Sequence, residues 1–396
     1  MIPMYASTKK IHFSVGGVVL VAFFGIWLFF LEPESKTTDE QRSSVESTEQ
    51  YQQHSTTPSV DTSSPMSPPS IARMKRQGCV ADGLLSDYGD ANTAAELVNR
   101  STCYYLHRSL ETWLAPPDFT RAAEIKKKIT REDLVYGMFI AEAINTRARY
   151  YDPVREKNFD FDAMCRAGSE NFWGEHTCKP SFEREEYRRY LRAITQEAMD
   201  LGVQVFLFGQ IYYQESADRG SPIAPDIIAE MREYAQFIGT DIVVGAQTND
   251  IADEKYLRSF DFIEGGVGIT SDGAIENGPC HSRWWHAPGD WCWALLWHPQ
   301  FHDRANNVFI HLDWSGKKDD DMGTFANMNT ETRATTLRTL HAFFTGRDIG
   351  FLLPIGAPLH RQNGGCYGPR KRYYSPDNRY SCKDEDVIND ILRHAQ

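Results

Sequence analysis

Short apolar segments that end on polar residues recur along the chain after residue 130, and helical patterns separate them. Segments that are apolar on both faces are typical of strands in a parallel sheet, where both faces are covered. The predicted strands lie at 134–141, 203–210, 241–247, 260–264, 293–297, 307–312 and 349–353. Alternation of strand and helix predicts parallel βαβ units, and so many units favour a closed (β/α)8 barrel, although no eighth strand is visible.

An open nucleotide-binding sheet is the competing fold, and the glycine pattern argues against it. No G-x-G-x-x-G connects a strand to a helix, and Gly265, Gly266 and Gly268 lack that spacing. A phosphate-binding loop of the Walker type is also absent from the sequence. The formal net charge of −12 argues against nucleic acid as a partner, because binding phosphates requires a basic surface.

The N-terminal segment predicts a membrane anchor. Residues 11–31 are apolar and long enough to cross a bilayer core at about 1.5 Å per residue. Lys9 and Lys10 precede this segment, so residues 1–10 are expected in the cytoplasm and the remainder outside. Residues 32–78 are rich in Ser, Thr and Pro and predict a disordered stalk. Residues 79–396 then form the extracytoplasmic barrel domain.

The 8 cysteines all lie in the predicted outward domain and favour disulfides, since an even number of cysteines in a non-cytosolic domain is typical of them. Pairing of sequence neighbours is the simplest arrangement, although other connectivities remain possible. Neighbour pairing would join Cys79 with Cys103, Cys165 with Cys178, Cys280 with Cys292, and Cys366 with Cys382. Within the domain, residues 79–128 show a helical and irregular pattern, including a helix over 94–110, and residues 145–179 form a long insertion.

Polar side chains at the ends of the predicted strands define the candidate active site, because the carboxyl ends of barrel strands meet at one face. Glycoside hydrolysis needs two carboxyl groups across the scissile bond. We predict Glu264 as the general acid and Asp313 as the second carboxylate. Glu142 is a further candidate, although Arg147 and Arg149 follow closely and could simply pair with it.

Amide and aromatic side chains near the same strand ends are candidates for carbohydrate binding. Amides can hydrogen-bond sugar hydroxyls, and aromatic rings offer flat apolar faces to sugar rings. The predicted substrate-binding residues are Gln210, Tyr212, Gln247, Asn249, Trp284, Trp285 and Trp314.

These features resemble the TIM-barrel glycoside hydrolases over about residues 130–360. The resemblance rests on Glu264 after one apolar strand, Asp313 and Trp314 after another, and amides that end two more. Many such barrels carry an acid/base glutamate after the fourth strand, where Glu264 falls in this count. Their nucleophile after strand seven has no counterpart here, since the last predicted strand runs into Leu353-Pro354-Ile355-Gly356.

Two other functions fit the same sequence. An inactive barrel would serve as a carbohydrate-binding or cell-envelope scaffold protein. A metal-dependent hydrolase is the other alternative, because His298, His302, His311 and Asp313 are ligand types that hydrolytic zinc sites use. Since neither H-E-x-x-H nor H-x-H occurs, we expect no metal and no cofactor.

Overall fold

The computed structural model describes residues 67–217, 220–248, 251–275, 302–312, 314, 320–360, 364–366 and 372–395. The predicted anchor 11–31, the stalk up to residue 66 and the predicted strand 293–297 lie outside these residues. Within the described part of the chain, no helix combines the length and the apolar character needed to span a bilayer.

A closed barrel of parallel strands forms the centre of the described domain. Its strands are β1 (Gly78–Ala81), β2 (Tyr105–Glu111), β3 (Val135–Ile140), β4 (Val203–Phe208), β5 (Val243–Ala246), β6 (Phe262–Val267), β7 (Val308–Leu312) and β8 (Gly350–Pro358). Each strand pairs in parallel with the next, and β8 pairs with β1 to close the barrel, with Cys79 opposite Leu353. A short strand β9 (Tyr373–Tyr374) adds antiparallel to the end of β8. The predicted TIM barrel is confirmed.

Most of the described helices pack around the outside of this barrel. The helices are α1 (Ile71–Gln77), α2 (Ala91–Arg100), α3 (Phe119–Lys126), α4 (Glu185–Asp200), α5 (Ile211–Gln214), α6 (Ala224–Phe237), α7 (Glu254–Leu257), α8 (Asp321–Ala326), α9 (Thr330–Thr345) and α10 (Glu385–His394). Of these, α1 and α5 lie at the two ends of the barrel. In α4, Glu185 and Glu186 lie in the first turn, where the positive end of the helix dipole stabilises carboxylates. Tyr187, Leu191 and Ile194 recur on its buried face, so α4 packs on the strands through one apolar stripe.

Two strands near the start of the domain were missed by the apolar pattern. The predicted helix 94–110 is confirmed as far as Arg100, where α2 ends, and is wrong beyond it, because β2 begins at Tyr105. β1 is short, and β2 buries the polar residues His107, Ser109 and Glu111, so neither strand shows a purely apolar run. Glu264 consequently lies within β6 rather than after a fourth strand, because both missed strands precede it in the barrel.

The helix α1 belongs to the folded domain, which therefore begins before residue 79. Met74 of α1 is fully buried and packs with Phe262, Phe309 and Leu352 inside the barrel. The backbone carbonyl of Ser67 accepts a hydrogen bond of 3.1 Å from Gln204 Nε2, near the start of β4. The chain thus enters the domain at the N-terminal end of the strands.

The connection between β3 and α4 carries the predicted long insertion. It contains two short antiparallel pairs, Ile144–Asn145 with Thr177–Cys178 and Tyr151–Asp152 with Lys157–Asn158. These pairs project from the carboxyl end of β3, so the insertion borders the end of the barrel where the polar strand ends collect.

Three of the predicted disulfides are present in the described domain. The bridges join Cys79 to Cys103, Cys165 to Cys178, and Cys366 to Cys382. The remaining predicted pair, Cys280 with Cys292, lies outside the described residues. The bridge from Cys79 ties β1, the strand at which the barrel closes, to the segment that leads into β2.

Replacing both Cys79 and Cys103 with serine should lower the free energy of unfolding by about 3 kcal/mol, because the unfolded chain regains the entropy of a loop whose ends are 24 residues apart. Urea denaturation followed by circular dichroism under non-reducing conditions measures this change. The double variant of Cys165 and Cys178 is the comparison, since that bridge lies in the insertion and should leave the far-ultraviolet spectrum of the barrel intact. A loss below about 1 kcal/mol for the Cys79 and Cys103 variant would contradict the expected stabilisation.

Candidate active site

Three titratable side chains meet inside the barrel. His107 projects from β2, Glu264 from the opposite strand β6, and His311 from the neighbouring strand β7, and they are 0%, 0% and 2% exposed respectively. Glu264 Oε1 lies 2.6 Å from His311 Nε2, and Glu264 Oε2 lies 3.6 Å from His107 Nε2. The carboxylate is therefore enclosed between two imidazole rings that come from different walls of the barrel.

Both histidine rings are fixed at their other nitrogen. His107 Nδ1 lies 2.9 Å from the hydroxyl of Tyr105, which is two residues earlier on the same face of β2. His311 Nδ1 lies 2.9 Å from the backbone carbonyl of Leu312. Because a carbonyl can only accept a hydrogen bond, His311 Nδ1 carries a hydrogen and donates it.

An irregularity in β2 brings charged residues to the barrel mouth, which we define as the carboxyl end of the strands. The register with β3 shifts between Leu106 and Leu110, and Arg108 has a φ of 53° there. This shift turns Arg108 inward over the ring of Phe139, 4.0 Å from its centroid. Its Nε donates to Glu111 Oε1 at 2.8 Å and lies 3.3 Å from Asp82 Oδ1. Arg108 thereby links the ends of β1 and β2.

A chain of hydrogen bonds connects Glu264 to Glu142 across the mouth. Gln247 Nε2 donates to Glu264 Oε1 at 3.3 Å, and Gln247 Oε1 accepts from the backbone N–H of Gln210 at 3.2 Å. Gln210 Nε2 donates to Glu142 Oε1 at 2.6 Å. The hydroxyl of Tyr212 donates to Gln210 Oε1 at 3.2 Å. Gln210, with a φ of 20°, is held by these contacts in a conformation that side-chain-bearing residues rarely adopt.

The inner carboxylate is ionised. Burial acts to raise the pKa of Glu264, but His311 and His107 outweigh burial and lower this pKa to about 2. Burial lowers the pKa of His107, although the carboxylate of Glu264 acts in the opposite direction. An enclosed and ionised carboxylate is poorly suited to the general-acid role predicted for Glu264, because a general acid must hold a proton and deliver it to the substrate.

The outer carboxyls behave differently. Burial raises the pKa of Glu142 to about 7, although Arg108, Gln210 and Lys179 act in the opposite direction. Burial likewise raises the pKa of Glu111 to about 7 against the opposing effect of Arg108. Carboxyl groups with pKa values close to the operating pH are suited to proton transfer.

Aromatic rings from three connections line the mouth on the side of Glu142. The rings belong to Trp113, Phe172, Trp173, Tyr212 and Tyr213, and we refer to them as the aromatic wall. Trp173, in the insertion, lies 5.8 Å from Trp113 and 6.0 Å from Tyr213 between ring centroids. Lys179 Nζ lies 3.4 Å from the centroid of Tyr213, and this lysine is near enough to Glu142 to lower its pKa.

The structure brings five of the predicted site residues together. Glu264, Gln247, Gln210, Glu142 and Tyr212 form one connected network. Glu142 hydrogen-bonds Gln210, so its described side-chain partner is neither of the arginines considered from the sequence.

The other predicted residues divide into two groups. Trp314 is half-buried and packs against the core between strands and helices. His302 lies before β7, at the end of that strand that is far from the mouth, and its Nδ1 lies 2.9 Å from Asp303 Oδ1. The remaining candidates, Asp313, Asn249, Trp284, Trp285 and His298, lie outside the described residues.

Sequence reasoning missed His107, Arg108, Glu111, Trp113 and Trp173. The first four lie on β2 or directly after it, and the apolar pattern did not reveal this strand. The available signal was the alternation that places Tyr105 and His107 on one face of β2. Trp173 lies in an insertion without periodicity, and its approach to the mouth depends on the pairing of Ile144–Asn145 with Thr177–Cys178.

Comparisons with known proteins agree with the barrel architecture. No protein-family model and no curated protein sequence matches the chain. A GH27 β-L-arabinopyranosidase structure from Geobacillus stearothermophilus matches at 11% identity and a TM-score of 0.43, over 82% of this chain and 78% of that one. An α-amylase from Malbranchea cinnamomea matches at 6% identity and a TM-score of 0.46, over 82% and 78%. An α-galactosidase from Thermus thermophilus matches at 14% identity and a TM-score of 0.48, over 83% and 66%.

The assignment of the barrel rests on the strand order of this chain. The activities named for the matched structures are those of the matched proteins.

Replacing Gly209 with alanine should disturb the Glu142 network. A Cβ at this position would lie 2.4 Å from Glu142 Oε2 and 2.5 Å from a ring carbon of Phe139. Relieving this overlap should lower the free energy of unfolding by about 1–3 kcal/mol. Gly356→Ala is the control, because nothing lies within 4 Å of a Cβ there. Equal urea midpoints for the two variants would show that the space beside Glu142 is not closely packed.

Proposed function

We propose that the domain is a glycoside hydrolase acting on a polysaccharide or another glycan, with Glu142 as its general acid. The observation that supports this most directly is the placement of Glu142 at the barrel mouth, beside the aromatic wall. A carboxyl group for proton transfer and flat apolar rings for sugar binding are the parts that such a reaction needs.

The environment of Glu142 favours a proton donor. The side chain is 2% exposed, and Gln210 Nε2 supplies a neutral donor to one of its oxygens. Glu142 Oε2 has no hydrogen-bond partner among the described residues. Because Gln210 already donates to Oε1, we assign the acid proton to Oε2.

We assign the second carboxylate of the proposed reaction to Asp313, which follows β7 directly in the sequence. Strands β3 and β7 stand on opposite sides of the barrel, so carboxyl groups following them can flank a substrate at the mouth. Glu111 is the other carboxyl near Glu142, but its ion pair with Arg108 gives it a role in holding the ends of β1 and β2 together.

We further propose that the protein is anchored by residues 11–31 with the barrel outside the cytoplasm. The disulfides of the described domain support this location, because such bridges persist in oxidising compartments. An outward-facing domain would meet glycans of the cell envelope or of the surroundings.

The variant Glu142→Gln should reduce kcat/KM by at least about 10²-fold on a glycan found active in a panel screen, because the amide cannot donate the acid proton. In the unmodified protein, kcat/KM should fall as the pH rises through about 7, since the acid must be protonated and its pKa is raised to that value. Burial raises this pKa, and Arg108 and Lys179 are charged groups near Glu142 that oppose the rise.

The matched control is Glu132→Gln, which changes an exposed glutamate at the N-terminal end of β3. It should retain the activity and the pH profile of the unmodified protein. Asp313→Asn tests the second carboxylate in the same assay. Full turnover by Glu142→Gln would remove Glu142 from the acid role, and full turnover by Asp313→Asn would assign the second role elsewhere.

A glycan-binding protein without turnover is the second candidate function. The enclosure of Glu142 and Glu264, which are 2% and 0% exposed, favours it. Binding of a glycan with no product after prolonged incubation would establish this alternative.

Both candidate functions predict that Trp173→Ala weakens glycan binding. The loss of one stacking face should raise the dissociation constant about tenfold, equivalent to about 1.4 kcal/mol. Isothermal titration calorimetry with the bound glycan measures the change. Phe237→Ala is the control, because Phe237 is an 85% exposed aromatic residue on α6 outside the aromatic wall. Unchanged affinity in Trp173→Ala would place the sugar away from this wall.

A further inference from the structure

We propose that His107, His311 and Glu264 bind one divalent transition-metal ion of the zinc type inside the barrel, below the mouth. Two imidazole nitrogens and one carboxylate oxygen form a ligand set that zinc sites use, with a further position left for water or substrate. This proposal does not rest on the activity proposed above, and the three ligands come from three separate strands.

The geometry of the three side chains suits a single ion. One ligand atom from each residue lies within 4.8 Å of the other two. Tetrahedral bonds of about 2.0–2.2 Å place ligand atoms roughly 3.4 Å apart. The 3.6 Å between His107 Nε2 and Glu264 Oε2 fits that spacing as it stands. The 2.6 Å hydrogen bond between His311 and Glu264 would lengthen by less than about 1 Å on metal binding.

The surroundings of the histidines match those of metal ligands. A metal-bound histidine usually donates its other ring N–H to a carbonyl or another oxygen, which fixes the ring and directs the free nitrogen at the metal. His311 Nδ1 donates to the carbonyl of Leu312, and His107 Nδ1 lies 2.9 Å from the hydroxyl of Tyr105. Gln247 hydrogen-bonds the carboxylate of Glu264 in the same supporting manner.

Two buried atoms point independently to a ligand. His107 Nε2 and Glu264 Oε2 have no hydrogen-bond partner among the described residues, although both side chains are fully buried. Their separation exceeds hydrogen-bonding distance. A simple ion pair between His311 and Glu264 would satisfy Oε1 and leave these two atoms unsatisfied. A shared metal ion satisfies both of them at once.

The ligand types select the metal. Imidazole nitrogen suits zinc and its first-row neighbours, whereas Mg²⁺ and Ca²⁺ prefer sites made of oxygen alone. An ion here would join β2 to β6 and β7 across the barrel. Through Gln247 and Gln210 it would also hold the position of Glu142.

The test uses the full-length protein prepared without a histidine tag and stripped of metal with a chelator. After addition of Zn²⁺ and gel filtration, mass spectrometry of the metal should find about one zinc per chain. The Tm should rise with Zn²⁺, fall again with EDTA, and not respond to Mg²⁺. Co²⁺ loading should give visible absorption bands.

His107→Gln and His311→Gln should each lower zinc content at least tenfold and abolish the Co²⁺ bands. His302→Gln is the control, because His302 lies at the other end of β7 and contacts Asp303, so this variant should bind like the unmodified protein. Circular dichroism verifies that each variant is folded.

Two results would overturn the proposal. The first is that the unmodified protein binds less than a tenth of an equivalent of zinc and shows no EDTA-reversible change in Tm. The site would then contain an ion pair between His311 and Glu264 and no metal. The second is unchanged zinc content in both folded histidine variants. The measurement on the unmodified protein decides the matter even if neither variant folds.

Discussion

A negative charge buried inside the barrel is the constraint on which the arrangement of the site depends. Glu264 lies where a (β/α)8 barrel is normally filled with hydrocarbon, and such a charge must be compensated by close polar groups. His311 and Gln247 hydrogen-bond the carboxylate, and His107 lies 3.6 Å from its other oxygen, on the opposite wall. The barrel interior consequently changes from apolar side chains such as Phe309 at the N-terminal end to a polar layer below the mouth.

The mouth combines positions fixed by strands with positions supplied by loops. The irregularity in β2 is essential, because it turns Arg108 inward where regular alternation would place that residue outside the barrel. Strand ends then hold Glu111 and Glu142 on rigid backbone. The insertion contributes Trp173, which lies farther from the strand ends than a residue on a strand could. In this fold, strand ends can hold reactive side chains in fixed positions, while loops can supply the side chains that contact a ligand.

The barrel class and the connected residues Glu264, Gln247, Gln210 and Glu142 could be predicted, because parallel strands buried on both faces leave long apolar runs that end where the polar groups begin. β2 could not be found in this way, since its inward face carries His107 and Glu111. The pairing of His107 with Glu264 is a contact between opposite walls. No local pattern encodes it, because it depends on closure of the whole sheet.

The entry point of the chain has a consequence for access. Ser67 hydrogen-bonds Gln204 near the start of β4, and Met74 seals the same end of the cylinder from within. Ser67 and α1 therefore lie at the end of the barrel opposite the aromatic wall. The described residues that precede β1 thus close the N-terminal end of the barrel and do not cover Trp173 or Glu142 at the other end.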